Sequence, residues 1–281
     1  MTNPILQIDD LVVDYPQSRG RGTFRALSGV SLHVGPGECL GVVGESGSGK
    51  STLGKAVLGL VPVGSGRVFF DGSDITGATR AQRRRLSRDL QVVFQDPYGS
   101  LDPTMSIGEI LLEPLMVAGV SKTESRSLVR DILERVQLPA SAAVRYPREF
   151  SGGQRQRVAI ARALVRLPRL VICDEPVSAL DLSTQNSIID LLIELQRETG
   201  VAYMFVSHDL DVVRQICHRV VVMHRGEIVE CGEGREVTTT PRHPYSQRLL
   251  LASPVADPVA QAARRDAWLA LRDGPGRGDT W

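Results

Sequence analysis

Apolar positions in the first third of the chain fall in short continuous or alternating runs. "ILQIDDLVVDY", "RALSGVSLHV" and "ECLGVVG" each read as a strand, separated by glycine and proline punctuation such as "GPGE" at 35–38. "GRVFFDG" at 66–72 reads as a fourth strand, closed by an Asp-Gly turn. Across 106–138 the apolar residues recur three and four apart, which predicts helices in "SIGEILLEPLMVAGV" and "SKTESRSLVRDILERVQL". Ser121 and Glu124 have the Ser-x-x-Glu spacing of a capping box at the second of these starts.

The two patterns then alternate. A helix from Ser151 through Val165 precedes the short apolar strand "LVICDEP"; a helix in "TQNSIIDLLIELQRETG", ended by Gly200, precedes the strand "AYMFVSH". Helix "LDVVRQIC" and strand "RVVVMHRGEIVE" follow. Such alternation predicts an α/β fold, a mainly parallel sheet flanked by helices, with ligands bound at the carboxyl ends of its strands. After Glu236 the character changes to "TTTPRHPYSQRLLLASPVADP" and a Gly, Arg and Pro rich end, whose last dozen residues are expected to be disordered.

Composition narrows the classes. With 281 residues and 42% hydrophobic content, the chain can bury a substantial core as one large domain or two small ones. A net charge of +1 argues against a broad nucleic-acid footprint. The densest basic patch, "RAQRRRLSR" at 80–88, lacks interleaved aromatic residues and reads as a solvated helix face. Cys39, Cys173, Cys217 and Cys231 form no C-x-x-C pair, so they suggest neither zinc site nor disulfide framework and read as small core residues of a reducing compartment. Asp9, Asp10 and Asp14 interrupt the first apolar runs, unlike a signal peptide, and no apolar run approaches the ~18 residues needed to cross a bilayer. Action at a membrane would therefore require a partner.

Two stretches carry the chemistry. "GESGSGKST" matches G-x-x-x-x-G-K-[ST] directly after an apolar strand and before a helical segment, the context that gives the match meaning. Gly44, Glu45, Ser46, Gly47, Ser48 and Gly49 form a loop whose backbone amides can turn toward phosphate oxygens. Lys50 can meet the β and γ phosphates, Ser51 can ligate Mg²⁺, and Thr52 ends the nucleotide-binding stretch. The plainer reading, a Gly/Ser turn with a chance lysine, fails on that strand-to-helix context. "LVICDEP" puts Asp174 and Glu175 where an apolar strand emerges: Asp174 is the metal candidate and Glu175 the base that polarises water. An acidic pair that merely caps the next helix is the plainer alternative.

With these residues in place the chain resembles the ATP-binding cassette ATPases from about residue 5 to residue 251. The signature stands here as Ser151, Gly152, Gly153 and Gln154. Gln95 in "VVFQDP", Asp181 in "SALD" and His208 in "FVSHDL" match the glutamine loop, the D-loop and the switch histidine. Phe150 stands where the family most often has leucine.

The resemblance implies a P-loop NTPase (RecA-like) core with an N-terminal antiparallel β-subdomain and an inserted α-helical subdomain at about 98–160. It sets the nucleotide-binding domain at 1–235 and a C-terminal extension at 236–281. It also implies ATP and Mg²⁺ as ligands, Gln95 near the metal and the attacking water, His208 at the γ-phosphate, and Tyr15, or else Phe24, stacked on adenine. Ser151 and Gln154 are spaced as a capping box, which on the plainer reading only starts a helix, but a helix start with two glycines is also an anion site, with exposed N–H groups and the positive end of the helix dipole. In the family, two cassettes pack head to tail and each signature helix points at the other's γ-phosphate.

"VVFQDPYGSLDPTMSIGE" and "HPYSQRLL" are similar to the ATPases of peptide and nickel importers. That likeness implies a peripheral subunit at the cytoplasmic face of the membrane, working with two permeases, a second cassette ATPase or a second copy of itself, and an external solute-binding protein. Cargo could be peptides, glutathione or nickel complexes, and the absence of cysteine beyond Cys231 argues against the iron–sulfur centre of some relatives. A soluble cassette ATPase of DNA repair or translation is the alternative, disfavoured by one phosphate loop, no coiled-coil insertion and no zinc spacing.

Overall fold

In the computed structural model, which describes residues 3–17 and 22–252, the elements run as follows. The first part holds β1 (Leu6–Pro16), β2 (Thr23–Val34), β3 (Cys39–Val43), α1 (Lys50–Leu58), β4 (Ser65–Phe70), β5 (Ser73–Asp74), α2 (Arg80–Leu86) and β6 (Leu90–Val93). A helical stretch follows, with α3 (Pro97–Ser100), α4 (Ile107–Val117), α5 (Lys122–Arg135) and α6 (Gly152–Leu164). The remainder is β7 (Leu170–Asp174), α7 (Leu182–Thr199), β8 (Ala202–Ser207), α8 (Leu210–Ile216), β9 (Arg219–His224), β10 (Glu227–Glu233), α9 (Gly234–Thr239) and α10 (Pro244–Ala252).

The strands make two sheets. One is antiparallel in the order β2-β1-β4-β5, with Tyr15 opposite Phe24 beside the last pair of β1 and β2, Pro16 and Thr23. The other runs β10-β9-β3-β8-β7-β6 and is parallel except for the β9–β10 hairpin. Every residue of β3 and of β8 is buried, which is why "CLGVV" and "AYMFVS" read as continuous apolar runs without alternation. One apolar cluster joins the smaller sheet to α1 and one face of the larger sheet; another packs α4 to α8 on the opposite face around Tyr203 and Phe205.

Local chemistry explains the helix limits. Ser106 and Glu109 cap α4 reciprocally, and the helix stops at Val117, three residues short of the stretch expected, because Gly119 takes φ 78. Ser121 caps α5 by accepting from the Glu124 N–H at 3.3 Å, without the reciprocal bond that its spacing allows.

Two expectations are corrected. The patch at 80–88 forms α2, with no residue fully buried, but Arg83 is not simply solvated: its guanidinium donates to the carbonyls of Val57 at 2.7 Å and Ile75 at 2.6 Å. The cysteines are not all core residues, since Cys231 is exposed and Cys217 half-buried. Cys39 and Cys217, 178 positions apart in sequence, bring their sulfurs within 3.5 Å.

The boundary expected after residue 235 falls inside α9, and Tyr245 and Leu249 of α10 belong to the larger apolar cluster. The last dozen residues, expected to be disordered, lie outside the described residues.

Candidate functional site

The phosphate loop begins where β3 ends. Gly44 turns the chain at φ 153, and a Cβ there would stand 2.2 Å from the Met223 carbonyl of β9, so only glycine lets the loop leave this close to its neighbouring strand. Glu45, Ser46 and Gly47 are exposed, while Ser48 is buried and Gly49 N-caps α1 with no side-chain bond to its first amides. The Ser48 hydroxyl is buried without a hydrogen-bond partner. An uncapped helix start beside an unsatisfied buried hydroxyl fits a phosphate chain, whose many oxygens accept from both.

Lys50 is only 5% exposed, and its Nζ donates to the carbonyls of Gly44 at 2.7 Å and Glu45 at 2.8 Å. Burial lowers its pKa, against the pull of Glu175 and Asp174. A further charge from an anion would be welcome to this buried ammonium.

Ser51 Oγ donates to Asp174 Oδ1 at 3.0 Å, joining α1 to the end of β7. Burial raises the Asp174 pKa, with the Ser51 hydrogen bond working the other way. A hydroxyl and a carboxylate side by side, next to a phosphate cradle, are the hard oxygen donors Mg²⁺ takes.

Glu175, the next residue, has φ 48, a left-handed conformation for a residue with a side chain, and its N–H donates to the Val206 carbonyl at 3.0 Å. This strained turn carries its carboxylate off the strand axis. Gln95 Nε2 reaches Glu175 Oε2 at 3.3 Å and Ser178 Oγ at 3.3 Å, so the amide nitrogen faces the base candidate and not the Ser51–Asp174 pair. His208, just beyond β8, sets Nδ1 3.2 Å from the same Glu175 oxygen. The loop, Asp174, Glu175, Gln95 and His208 thus meet at the carboxyl ends of β3, β6, β7 and β8, where the parallel order predicts a ligand.

Ser151, Gly152, Gly153, Gln154 and Asp181 form a second group. Ser151 Oγ accepts from the Gln154 N–H at 3.3 Å while Gln154 Oε1 accepts from the Ser151 N–H at 3.0 Å, a complete capping box. Asp181 caps α7, accepting from Thr184 N at 3.0 Å and from the hydroxyls of Ser183 and Thr184, each at 2.7 Å; these bonds hold its carboxyl well below the usual range. The two starts interlock, because a Cβ on Gly153 would lie 2.3 Å from Thr184 Cγ2. Among the described residues no hydrogen bond links this group to the phosphate loop.

Tyr15 is half-buried against the core of the smaller sheet, and Phe24 across from it is 52% exposed. Three of the remaining histidines have local roles: His218 Nδ1 accepts from Cys39 N at 3.0 Å, His243 Nδ1 accepts from Tyr245 N at 3.2 Å, and the His224 ring lies against Tyr245.

Three contributors were not singled out by the sequence, although Ser178 lies in "SALD" and Tyr245 in "HPYSQRLL". Ser178 bridges Gln95 to Glu175, its hydroxyl donating to the Glu175 carbonyl at 3.1 Å. Arg162 of α6 donates to the Ser100 carbonyl at 2.6 Å, tying the segment after Gln95 to the helix that begins at Ser151. Tyr245 contacts the phosphate loop from 200 residues away.

A family model described as "ABC transporter" matches residues 27–178. The chain is 48% identical over 268 residues, 93% of its length, to the "Glutathione import ATP-binding protein GsiA" of Salmonella paratyphi A. It is 51% identical over 261 residues, 91% of its length, to the protein of that name from Pectobacterium atrosepticum. It spans only 43% and 42% of those relatives' own lengths.

Among solved structures it is similar to cbiO1 from Clostridium perfringens, described as part of the ABC transporter complex cbiONQ, with a TM-score of 0.76 at 32% identity over 85% of this chain and 92% of that one. A second is the ATP-binding cassette MJ0796, a dimer in a post-hydrolysis state bound to ADP and Pi. That likeness has a TM-score of 0.74 at 31% identity, covering 82% of this chain and 99% of the other.

Proposed function

Since the chain belongs to the ABC transporter family, we propose that it is the ATP-hydrolysing subunit of an importer for peptides or a glutathione-like solute. The observation that carries the ATPase reading is the meeting of Gln95, His208 and Ser178 around Glu175, beside a phosphate loop with an unsatisfied buried hydroxyl.

The chemistry follows from those positions. The loop amides, Ser48 and Lys50 hold the β and γ phosphates, and Tyr15, with Phe24 beside it, offers an aromatic face to adenine. Mg²⁺ would be held by Ser51 and Asp174 and would neutralise phosphate charge, and Gln95 would reach it only by turning its amide away from Glu175. Glu175 accepts a proton from the attacking water, which Gln95 orients, while His208 donates a hydrogen bond toward the γ-phosphate. Holding these groups before the substrate arrives removes much of the entropic cost of the reaction.

The second group, at Ser151 and Asp181, completes the site of another cassette in a head-to-tail dimer. That a similar cassette is solved as a dimer supports the pairing of two cassettes. Ser151 and Gln154 are exposed, so the helix start is available on the surface while remaining capped within its own chain. ATP would then bind both surfaces together, and its hydrolysis would release them.

No helix among the described residues is long and apolar enough to cross a membrane; in this reading translocation belongs to two partner permeases, with the chain at their cytoplasmic face. A cleft of about 300 Å³, lined by residues that include Val92, Phe94, Gly99 and Arg162, lies between the glutamine-loop segment and α6 and suits a permease helix. A binding protein would deliver cargo from outside, and a second cassette subunit or second copy would complete the pair. The relatives' names favour transport over a soluble role in DNA repair or translation.

The test is copurification of the tagged chain from membranes with identification of associated proteins. Recovery of two permeases and a cassette partner is expected; recovery of ribosomes or repair factors in their place would overturn the importer reading.

A further inference from the structure

The loop that would cradle ATP is gripped from three sides. Lys50 holds the carbonyls of Gly44 and Glu45 from within. The turn between β9 and β10 holds it from one flank, Gly226 N–H donating to the Ser48 carbonyl at 3.0 Å. The third grip comes from α10: the Glu45 N–H donates to the phenol oxygen of Tyr245 at 3.0 Å.

Tyr245 is built to hold that position. It is 3% exposed, and its ring lies 4.0 Å, centroid to centroid, from the ring of His224 at the end of β9. β9 pairs with β3, the strand that delivers the phosphate loop, with Val222 beside Val43. The segment leading into α10 is fixed as well: Glu230 accepts from Arg242 N at 2.7 Å and from His243 N at 3.2 Å, and His243 Nδ1 caps Tyr245 N. Burial raises the phenol's pKa, so the oxygen stays protonated and neutral.

The amide it accepts from begins the loop's first turn. The Glu45 carbonyl, at the other end of the same residue, takes Lys50 Nζ at 2.8 Å and Ser48 N at 3.2 Å. Tyr245 therefore sets one side of Glu45 while Lys50 and Ser48 set the other.

We infer that Tyr245 is a positioning residue for nucleotide binding, preorganising the phosphate loop through the Glu45 amide and coupling the C-terminal helix to the ATP site. The inference rests on reading this loop as an ATP cradle. Its effect falls on binding and not on the chemical step, because Tyr245 touches the loop at the Glu45 amide, whereas Glu175 is held by Gln95 and flanked by His208.

The experiment titrates the purified full chain, wild type and Tyr245→Phe, with a fluorescent ATP analogue, and follows melting without nucleotide. Phe keeps the buried ring and removes only the acceptor. The expected result is a roughly three- to tenfold weaker affinity for the analogue, a matching rise in KM for ATP and an unchanged kcat. A tail that merely packs would leave affinity and KM alone, and that result overturns the inference. Wild-type protein that fails to bind the analogue overturns the ATP reading itself and this inference with it.

A second measurement needs no variant. Mg²⁺ and a non-hydrolysable ATP analogue are expected to slow amide hydrogen exchange across 244–252 in the wild type, since coupling between two sites is reciprocal. Unchanged exchange there, in protein shown to bind the analogue, overturns the coupling.

Discussion

His208 Nδ1 lies 3.2 Å from Glu175 Oε2, the carboxylate oxygen that Gln95 Nε2 also approaches at 3.3 Å. The two partners come from different strand ends, so the carboxylate reports on the arrangement of three segments of the sheet. It is also largely shielded, with its side chain 17% exposed, and a shielded carboxylate held by the Gln95 amide and flanked by the His208 ring is a fixed base.

Glu175→Gln keeps the shape and both contacts but cannot accept a proton. Hydrolysis is expected to fall by about two to four orders of magnitude, with ATP affinity preserved and an ATP-bound dimer accumulating. Steady-state turnover and size-exclusion chromatography with ATP check this, and rapid turnover by the variant would refute the assigned role.

His208 and Glu175 act as a unit, so their losses should not multiply. His208→Ala is expected to slow hydrolysis strongly, and adding it to Glu175→Gln should cost far less than the product of the two single effects. A double-mutant cycle on kcat measures the coupling; full multiplicativity would separate the two roles.

Asp174 links function to a stability cost. Burial raises its pKa in the folded chain above the unfolded value, so the folded state binds more protons across that interval. Its contribution is greatest below the unfolded pKa and is lost as pH rises through the folded one; at neutral pH the ionised carboxylate is a burden. Asp174→Asn should therefore raise the melting midpoint of the nucleotide-free protein at pH 7. The gap should close as the pH falls toward the ordinary carboxylate range. Mg²⁺-dependent hydrolysis is expected to be lost. Calorimetry across pH gives the comparison.

Gly153→Ala drives a methyl into Thr184 Cγ2. Overpacking of this kind costs about 1–3 kcal/mol, and the melting midpoint is expected to fall by roughly 2–4 °C per kcal/mol for a chain near this size. Thr184→Ser removes the clashing carbon and keeps the hydroxyl that Asp181 accepts from. The double substitution should recover most of the loss in a thermal melt, and failure to do so would place the clash elsewhere.

Periodicity and local motifs made much of this protein legible from its residues. The buried parallel strands announced themselves as unbroken apolar runs, because a strand covered on both faces has no polar side to alternate with. The phosphate loop and the Asp174–Glu175 pair were equally visible, since glycine conformations, a helix start and a strand end are properties of neighbouring residues.

What depended on packing is the long-range geometry. No local pattern says that Gln95 turns its amide to Glu175, that Ser178 bridges them, that Arg83 leaves its solvated helix for two carbonyls, or that Cys39 meets Cys217. Tyr245 stood in view within "HPYSQRLL", yet its hold on Glu45 exists only because β9 brings His224 beside the loop and α10 folds back over it. Such contacts join residues far apart in sequence through the sheet order, and a one-dimensional pattern carries no record of which distant surfaces the core will press together.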